Sequence, residues 1–173
     1  MQSADVLIIG AGMAGASAAY FLQSRANVII LERESQPGYH TTGRSAAMFI
    51  ETYGNDTVRR LSKASAEFFR NPLVGFSDVP LVRLRGALVI ARADQRERLE
   101  RIFQDGHAIT SRIFRLGRSE VLQRVPCLRA GYIDAAVFEP DAQDIDVAAL
   151  HQGFLRGLKA AGGKIVTDAE VRT

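Results

Sequence analysis

Apolar and polar positions alternate in short blocks along this chain, and the blocks predict alternating strands and helices. Val6–Ile9 is a continuous apolar run, the pattern of a strand buried on both faces. Met13 to Ser24 is rich in Ala and Leu and reads as a helix, and Val28–Leu31 is a second buried strand closed by Glu32. Asn55 or Asp56 caps a predicted helix that runs to Phe69 or Arg70 and stops at Asn71-Pro72. Its expected core face carries Val58, Leu61, Ala64, Ser65 and Phe68. Leu81–Ala91 reads as one strand, with Leu84 and Leu88 on one parity, Arg83 and Arg85 on the other, and Gly86 as a bulge or close approach.

Farther on, Arg92–Gln104 is a charged helix with Leu99, Ile102 and Phe103 as its apolar stripe and a solvated RADQRERLER face. Ile113–Leu116 is a short strand, Arg118–Val125 a short helix stopped by Pro126, and Tyr132–Glu139 a further strand. Asp146 caps a helix over Val147–Ala161, with Leu150, Phe154 and Leu158 on one face and Gly162-Gly163 at its end. Lys164–Thr167 begins another strand.

The chemistry concentrates at the first strand-to-helix junction. Gly10, Gly12 and Gly15 fall as G-x-G-x-x-G between a predicted strand and a predicted helix. Each has a job in the dinucleotide fingerprint: a sharp turn at Gly10, an approach for pyrophosphate at Gly12, close helix packing at Gly15. The helix start offers free N–H groups and a positive dipole end to a phosphate. Glu32 follows about 20 residues on, at the carboxyl end of the second strand, where a carboxylate accepts ribose hydroxyls. It would repel a 2′-phosphate, which disfavours NADP, with Arg33 beside it as the counter-indication. The alternative is a plain βαβ unit whose glycines serve packing alone.

After the turn Glu34–Gly38 comes a small, polar, basic stretch, Tyr39–Met48. It reads equally as a segment that holds the rest of a dinucleotide through hydroxyls, backbone N–H groups and Arg44, or as a surface loop with a helix cap at Ser45.

These segments together resemble the amino-terminal part of the FAD-dependent oxidoreductases of the D-amino-acid oxidase and glycine oxidase type. The resemblance rests on ADVLIIGAGMAGASAAYFL, VIILERE and HTTGRSAAMF, in that order, with RLGRSEVLQRVPCL and DIDVAALHQGFLRGLKAAGGKIVTDAEV following. It implies an α/β fold: a partial Rossmann-like βαβ FAD-binding domain interrupted by part of an α+β substrate domain. The expected divisions are 1–72 and 139–173 for FAD binding and 73–138 for the insertion, with the remainder of both domains absent from the chain.

By position, the resemblance places Gly10, Ala11, Gly12, Met13, Ala14 and Gly15 on the pyrophosphate of FAD. It sets Glu32 and Arg33 beside the ribose, and Thr42, Gly43, Arg44, Ser45 and Ala46 along the phosphate and flavin. Val171 would touch the adenine through its backbone. Some relatives attach flavin through a histidine near this region; His40 is read here as a solvated loop histidine. The implied activity is oxidation of a small amine or amino acid. A 2-hydroxyglutarate-like dehydrogenase, whose loop HTTGRSAAMF also resembles, is the second reading, and a non-catalytic nucleotide-binding fragment the third. No catalytic acid, base or nucleophile is named, because the family's pocket residues lie mostly beyond Thr173.

Composition changes this picture little. Of 173 residues, 47% are hydrophobic and 24% charged, ordinary for a globular protein. A net charge of +3 without interleaved aromatics argues against nucleic acid. No apolar run is long enough to span a membrane. The opening Met1–Asp5 has no basic n-region or cleavage site, so a cytoplasmic location is expected. Cys127, the single cysteine, is read as small apolar filler, and no metal site is expected because no Cys/His cluster has ligand spacing. Two substitutions follow: Gly12→Val should block pyrophosphate, and Glu32→Gln should weaken binding less, since one acceptor remains.

Overall fold

The computed structural model describes residues 3–172; Met1 and Gln2, where the leaderless start was expected, and Thr173 lie outside the described residues. The elements are β1 (Val6–Ile9), α1 (Met13–Leu22), β2 (Val28–Leu31), β3 (Met48–Phe49), α2 (Asp56–Arg70), β4 (Val82–Leu84) and β5 (Ala87–Ala91). Then follow α3 (Arg96–His107), β6 (Phe114–Gly117), α4 (Arg118–Arg124), β7 (Ala135–Glu139), β8 (Gln143–Ile145), α5 (Val147–Ala160) and β9 (Lys164–Val166). The contacts group the chain into two compact units. The first takes the described residues up to Ala47, Phe68–Leu81 and those from Ile145 on; the second takes Met48–Glu67 and Val82–Asp144.

In the first unit β1, β2 and β9 form a parallel sheet in that order, with Val6 opposite Val28, Ile8 opposite Ile30, and Ile30 opposite Ile165. Side chains alternate across a sheet, so these residues share one face. That face packs on Ala16 and Ala19 of α1 and on Leu150, Phe154, Leu155 and Leu158 of α5. Full burial of Ile30 and Leu158 stabilises the fold by roughly 1.5–3 kcal/mol each. The opposite face carries Leu7 and Ile9, 55% and 69% exposed, and, across β2, Val166 of β9.

The second unit is built on the antiparallel sheet β5-β7-β6, with Val89 opposite Val137 and Leu116 opposite Ala136. Leu99, Ile102 and Phe103 of α3 cover one face, packing with Ile113 and Val137. Val121 of α4 packs with Leu116, Ile133 and Ala136 on the other.

Several expectations change. Leu81–Ala91 is two strands, because Gly86 takes φ +79° and breaks the run; β4 joins β3 and β8 in one sheet while β5 joins another. A Cβ on Gly86 would also lie 3.0 Å from the Phe138 ring, so turn and close approach coincide there. On α2, Leu61 is 64% exposed and Val58, Ala64 and Ser65 are exposed too, while Phe68 packs inward as expected; the other inward residues are Arg59, Ser62, Ala66 and Phe69, a face partly rotated from the predicted one. Its polar Arg59 hid that face from a purely apolar pattern. Asn55 does cap this helix, its Oδ1 accepting from the Val58 N–H at 3.0 Å. Asp146 caps α5 in the same way through the Ala149 N–H at 2.8 Å. Met48–Phe49 and Gln143–Ile145, for which the apolar pattern predicted no element, are strands paired in register, Phe49 opposite Gln143. Cys127 is exposed in the turn after α4 and fills no core.

Candidate nucleotide-binding site

Gly10 leaves β1 with φ +95°, a conformation that only glycine adopts without strain, and its N–H donates to the Leu31 carbonyl at 2.7 Å. Nothing lies within 4 Å of where its Cβ would be, so conformation alone requires the glycine. At Gly15 the requirement is space: a Cβ would stand 1.9 Å from the Gly10 carbonyl oxygen. Gly12 opens α1 with no side-chain cap of its own. The cap comes from another segment, since the Met13 N–H donates to Thr42 Oγ1 at 2.9 Å. A Cβ on Gly12 would sit 3.3 Å from that same oxygen. Thr42 therefore faces the vacant side of Gly12, and its hydroxyl still has a proton to donate.

Glu32 is buried, 8% exposed, at the end of β2. Its Oε2 accepts from the Ala11 N–H at 2.7 Å, and its Oε1 accepts from the Glu34 N–H at 3.0 Å. The acid thus ties the glycine loop to the second strand. Carboxylate oxygens have two lone pairs each, so both can take a further donor. Buried His151 of α5 reaches the same loop: its Nε2 lies 2.8 Å from the Ala11 carbonyl oxygen. A carbonyl only accepts, so Nε2 is assigned the proton. Sequence reasoning missed His151; a histidine inside the Leu150–Phe154 apolar stripe was the available signal.

Gly12, Glu32 and Thr42 line one concavity of about 200 Å3 with Gly38, Tyr39, His40 and Thr41. The other predicted residues stand around it differently. Ala11 is wholly buried behind the loop, Met13 and Gly15 are half-buried, and Ala14 is exposed. Arg33 turns toward its neighbours, 3.1 Å from Glu34 and 3.1 Å from His40 Nε2. His40 is not merely solvated: its Nε2 meets Glu34 Oε1 at 2.7 Å, and this hydrogen bond holds the Glu34 carboxyl below its ordinary range. Gly43 donates to the Gly38 carbonyl at 2.8 Å and closes the Tyr39–Thr42 loop. Arg44 lies over the Tyr39 ring at 5.5 Å, and Ser45 Oγ accepts from the Ala47 N–H at 3.1 Å. Ala46 is exposed, and so is Val171, five residues beyond β9. Among the described residues no group of His, Cys, Asp and Glu could hold a metal ion, and no helix is long and apolar enough to cross a membrane.

A parallel strand–glycine loop–helix with a buried acid closing the next strand defines a dinucleotide-binding unit. Over residues 5–173 the chain matches the family model described as FAD dependent oxidoreductase (DAO), and it belongs to that family. Among solved structures it is similar to an L-α-glycerophosphate oxidase from Mycoplasma pneumoniae with FAD bound, at 21% identity and a TM-score of 0.84. That match covers 100% of this chain and 47% of the other. A glycine oxidase from Bacillus cereus follows at 23% identity and 0.81, covering 98% and 48%. An L-proline dehydrogenase from P. horikoshii matches at 20% identity and 0.80, covering 99% and 46%. At these identities the likeness is one of fold, α/β and Rossmann-like, and the chain spans about half the length of the structures it matches.

FAD, the family's cofactor, fits what the residues offer. The side chain missing at Gly12 leaves a cradle beside the helix start, Thr42 has a hydroxyl proton to give, and the Glu32 carboxylate lines the same concavity. An open helix start, a hydroxyl donor and a carboxylate acceptor are what an adenosine diphosphate moiety requires.

Proposed function

We propose that this chain is the amino-terminal part of a flavoenzyme that oxidises the C–N bond of a small amine or amino acid. The observation that carries the reading is the Gly10–Gly15 loop pinned to Glu32 through the Ala11 N–H, in a chain of the FAD-dependent family. Gly10–Gly15 and Thr42 would hold the pyrophosphate, and Glu32 with Arg33 the adenosine ribose. Gly43–Ala46 would run toward the flavin, with Val171 at the adenine. The first unit is assigned to FAD binding and the second to part of the substrate domain, in a cytoplasmic protein. When bound, the flavin ring supplies the electron acceptor; the protein's task is to orient it and the substrate.

The amine reading is supported by the glycine oxidase and L-proline dehydrogenase among the similar folds. Oxidation of a hydroxyl carbon is the second reading, favoured by the fold likeness to the glycerophosphate oxidase. The full-length protein, purified and assayed for flavin reduction against amino acids, amines and 2-hydroxy acids, separates them. Reduction by an amine or amino acid but not by hydroxy acids is expected; the reverse pattern establishes the second reading. The 173-residue chain alone is expected to be inactive.

A further inference from the structure

Buried His151 meets two segments that border the concavity at Gly12. On one side its Nε2 donates to the Ala11 carbonyl at 2.8 Å. On the other its ring packs on the bare side of Gly38, where a Cβ would stand 2.8 Å from Cε1 and 3.1 Å from Nδ1. The imidazole is thus wedged between the glycine loop and the segment that ends in Thr42. Ala11, Gly12, Gly38 and His151 all belong to the first unit.

The Ala11 carbonyl and the Gly12 N–H are the two ends of one planar trans peptide, so holding one end points the other the opposite way. The Gly12 N–H meets no acceptor among the described residues. The preceding peptide is fixed separately, by the Ala11 N–H on Glu32. A weak point lies between the two. A peptide reverses by turning ψ of one residue against φ of the next, and glycine accepts either sign of φ. Gly12 takes φ −73° here, yet its own sterics do not enforce that choice. The missing side chain that opens the cradle therefore also leaves the Ala11–Gly12 peptide free to reverse, which would offer a phosphate a carbonyl oxygen in place of an N–H. The hydrogen bond from His151 is what holds the peptide one way round.

We propose that His151 is a positioning residue for the dinucleotide: its Nε2–H locks the Ala11–Gly12 peptide so that the Gly12 N–H donates to a pyrophosphate oxygen. The role rests on the FAD reading above. It is exerted through the peptide, and donation to the carbonyl also polarises the same peptide and strengthens its N–H as a donor.

The test measures binding of FAD, ADP and adenosine to the full-length apoprotein by calorimetry, for wild type, His151→Leu and His151→Gln. His151→Leu should weaken FAD and ADP about tenfold or more and leave adenosine, which has no phosphate, unchanged. His151→Gln brings an amide N–H to the same carbonyl and should return FAD and ADP to within about threefold of wild type. A histidine that only packed α5 against the sheet would give neither the split between ADP and adenosine nor the rescue. FAD held as tightly by His151→Leu as by wild type, adenosine weakened as much as ADP, or a glutamine no better than leucine would overturn the role and leave the FAD reading standing. A wild-type apoprotein that takes up no FAD overturns both. If His151→Leu yields no folded protein, a crystal structure of the flavin-bound wild type decides. The Gly12 N–H on a phosphate oxygen with His151 on the Ala11 carbonyl is expected; a reversed peptide, or His151 turned from that carbonyl, overturns the role.

Discussion

Two backbone N–H groups end on the carboxylate of Glu32, and this alters what its substitution does. An amide has one acceptor oxygen and one NH2 donor. In Glu32→Gln, whichever way the amide turns, a donor faces the N–H of Ala11 or of Glu34. The substitution therefore strikes the loop itself as well as any ribose contact. A stability loss of about 1–3 kcal/mol is expected from the unsatisfied buried N–H, readable as a lowered denaturant midpoint without flavin. The sequence alone suggested a mild effect because the spacing located Glu32 without its local partners. Gly12→Val acts differently. Its branched side chain occupies the cradle and crowds Thr42 Oγ1, so FAD content of the full-length protein should fall sharply while folding largely survives. Unchanged flavin content in that variant would sink the pyrophosphate role.

At the scale of elements, α5 does more than cover the sheet. Through His151 it grips the Ala11 carbonyl, so the helix and the loop share one position. His151→Leu keeps the apolar packing and leaves that buried carbonyl without its donor. The loop should loosen by roughly 1–3 kcal/mol, seen as faster amide exchange at Ala11 and Gly12 with α5 intact. Periodicity made β1, α1, β2, α5 and β9 legible, because each buries a regular apolar pattern of its own. It failed where pairing comes from distant chain: β3 and β8 are two- and three-residue strands, too short to show a period, and are defined by partners far away in sequence. It also failed at Gly86, where the apolar pattern runs on through a residue whose backbone turns aside. At the site, the glycine spacing and the acid were plain to read. The capping of α1 by Thr42 was not, since it joins residues 29 positions apart.

Across the whole molecule, Glu139 sets a pH response of its own. Its folded-state pKa is raised by burial, so the protonated form is the one favoured by folding. The associated stability is complete at pH below the unfolded value and is lost as pH rises through the folded one. Glu139→Gln should accordingly raise the melting temperature at neutral pH, with the gain shrinking in acid; thermal unfolding followed at several pH values reads it. The second unit's exposed ion pairs, such as Arg101–Glu97 and Arg115–Glu100, contribute little individually, so added salt should barely move the same transition.

The bare side of the parallel sheet has a practical consequence. Leu7 and Ile9 present hydrocarbon to water along β1, which ends the sheet among the described residues and offers backbone groups to any strand that meets it. Copies of the 173-residue chain are expected to stick to one another in proportion to concentration, visible as growing light scattering. Leu7→Lys, a charge planted on that face, should restore dispersed particles while leaving the glycine loop, which begins three residues farther on, in place.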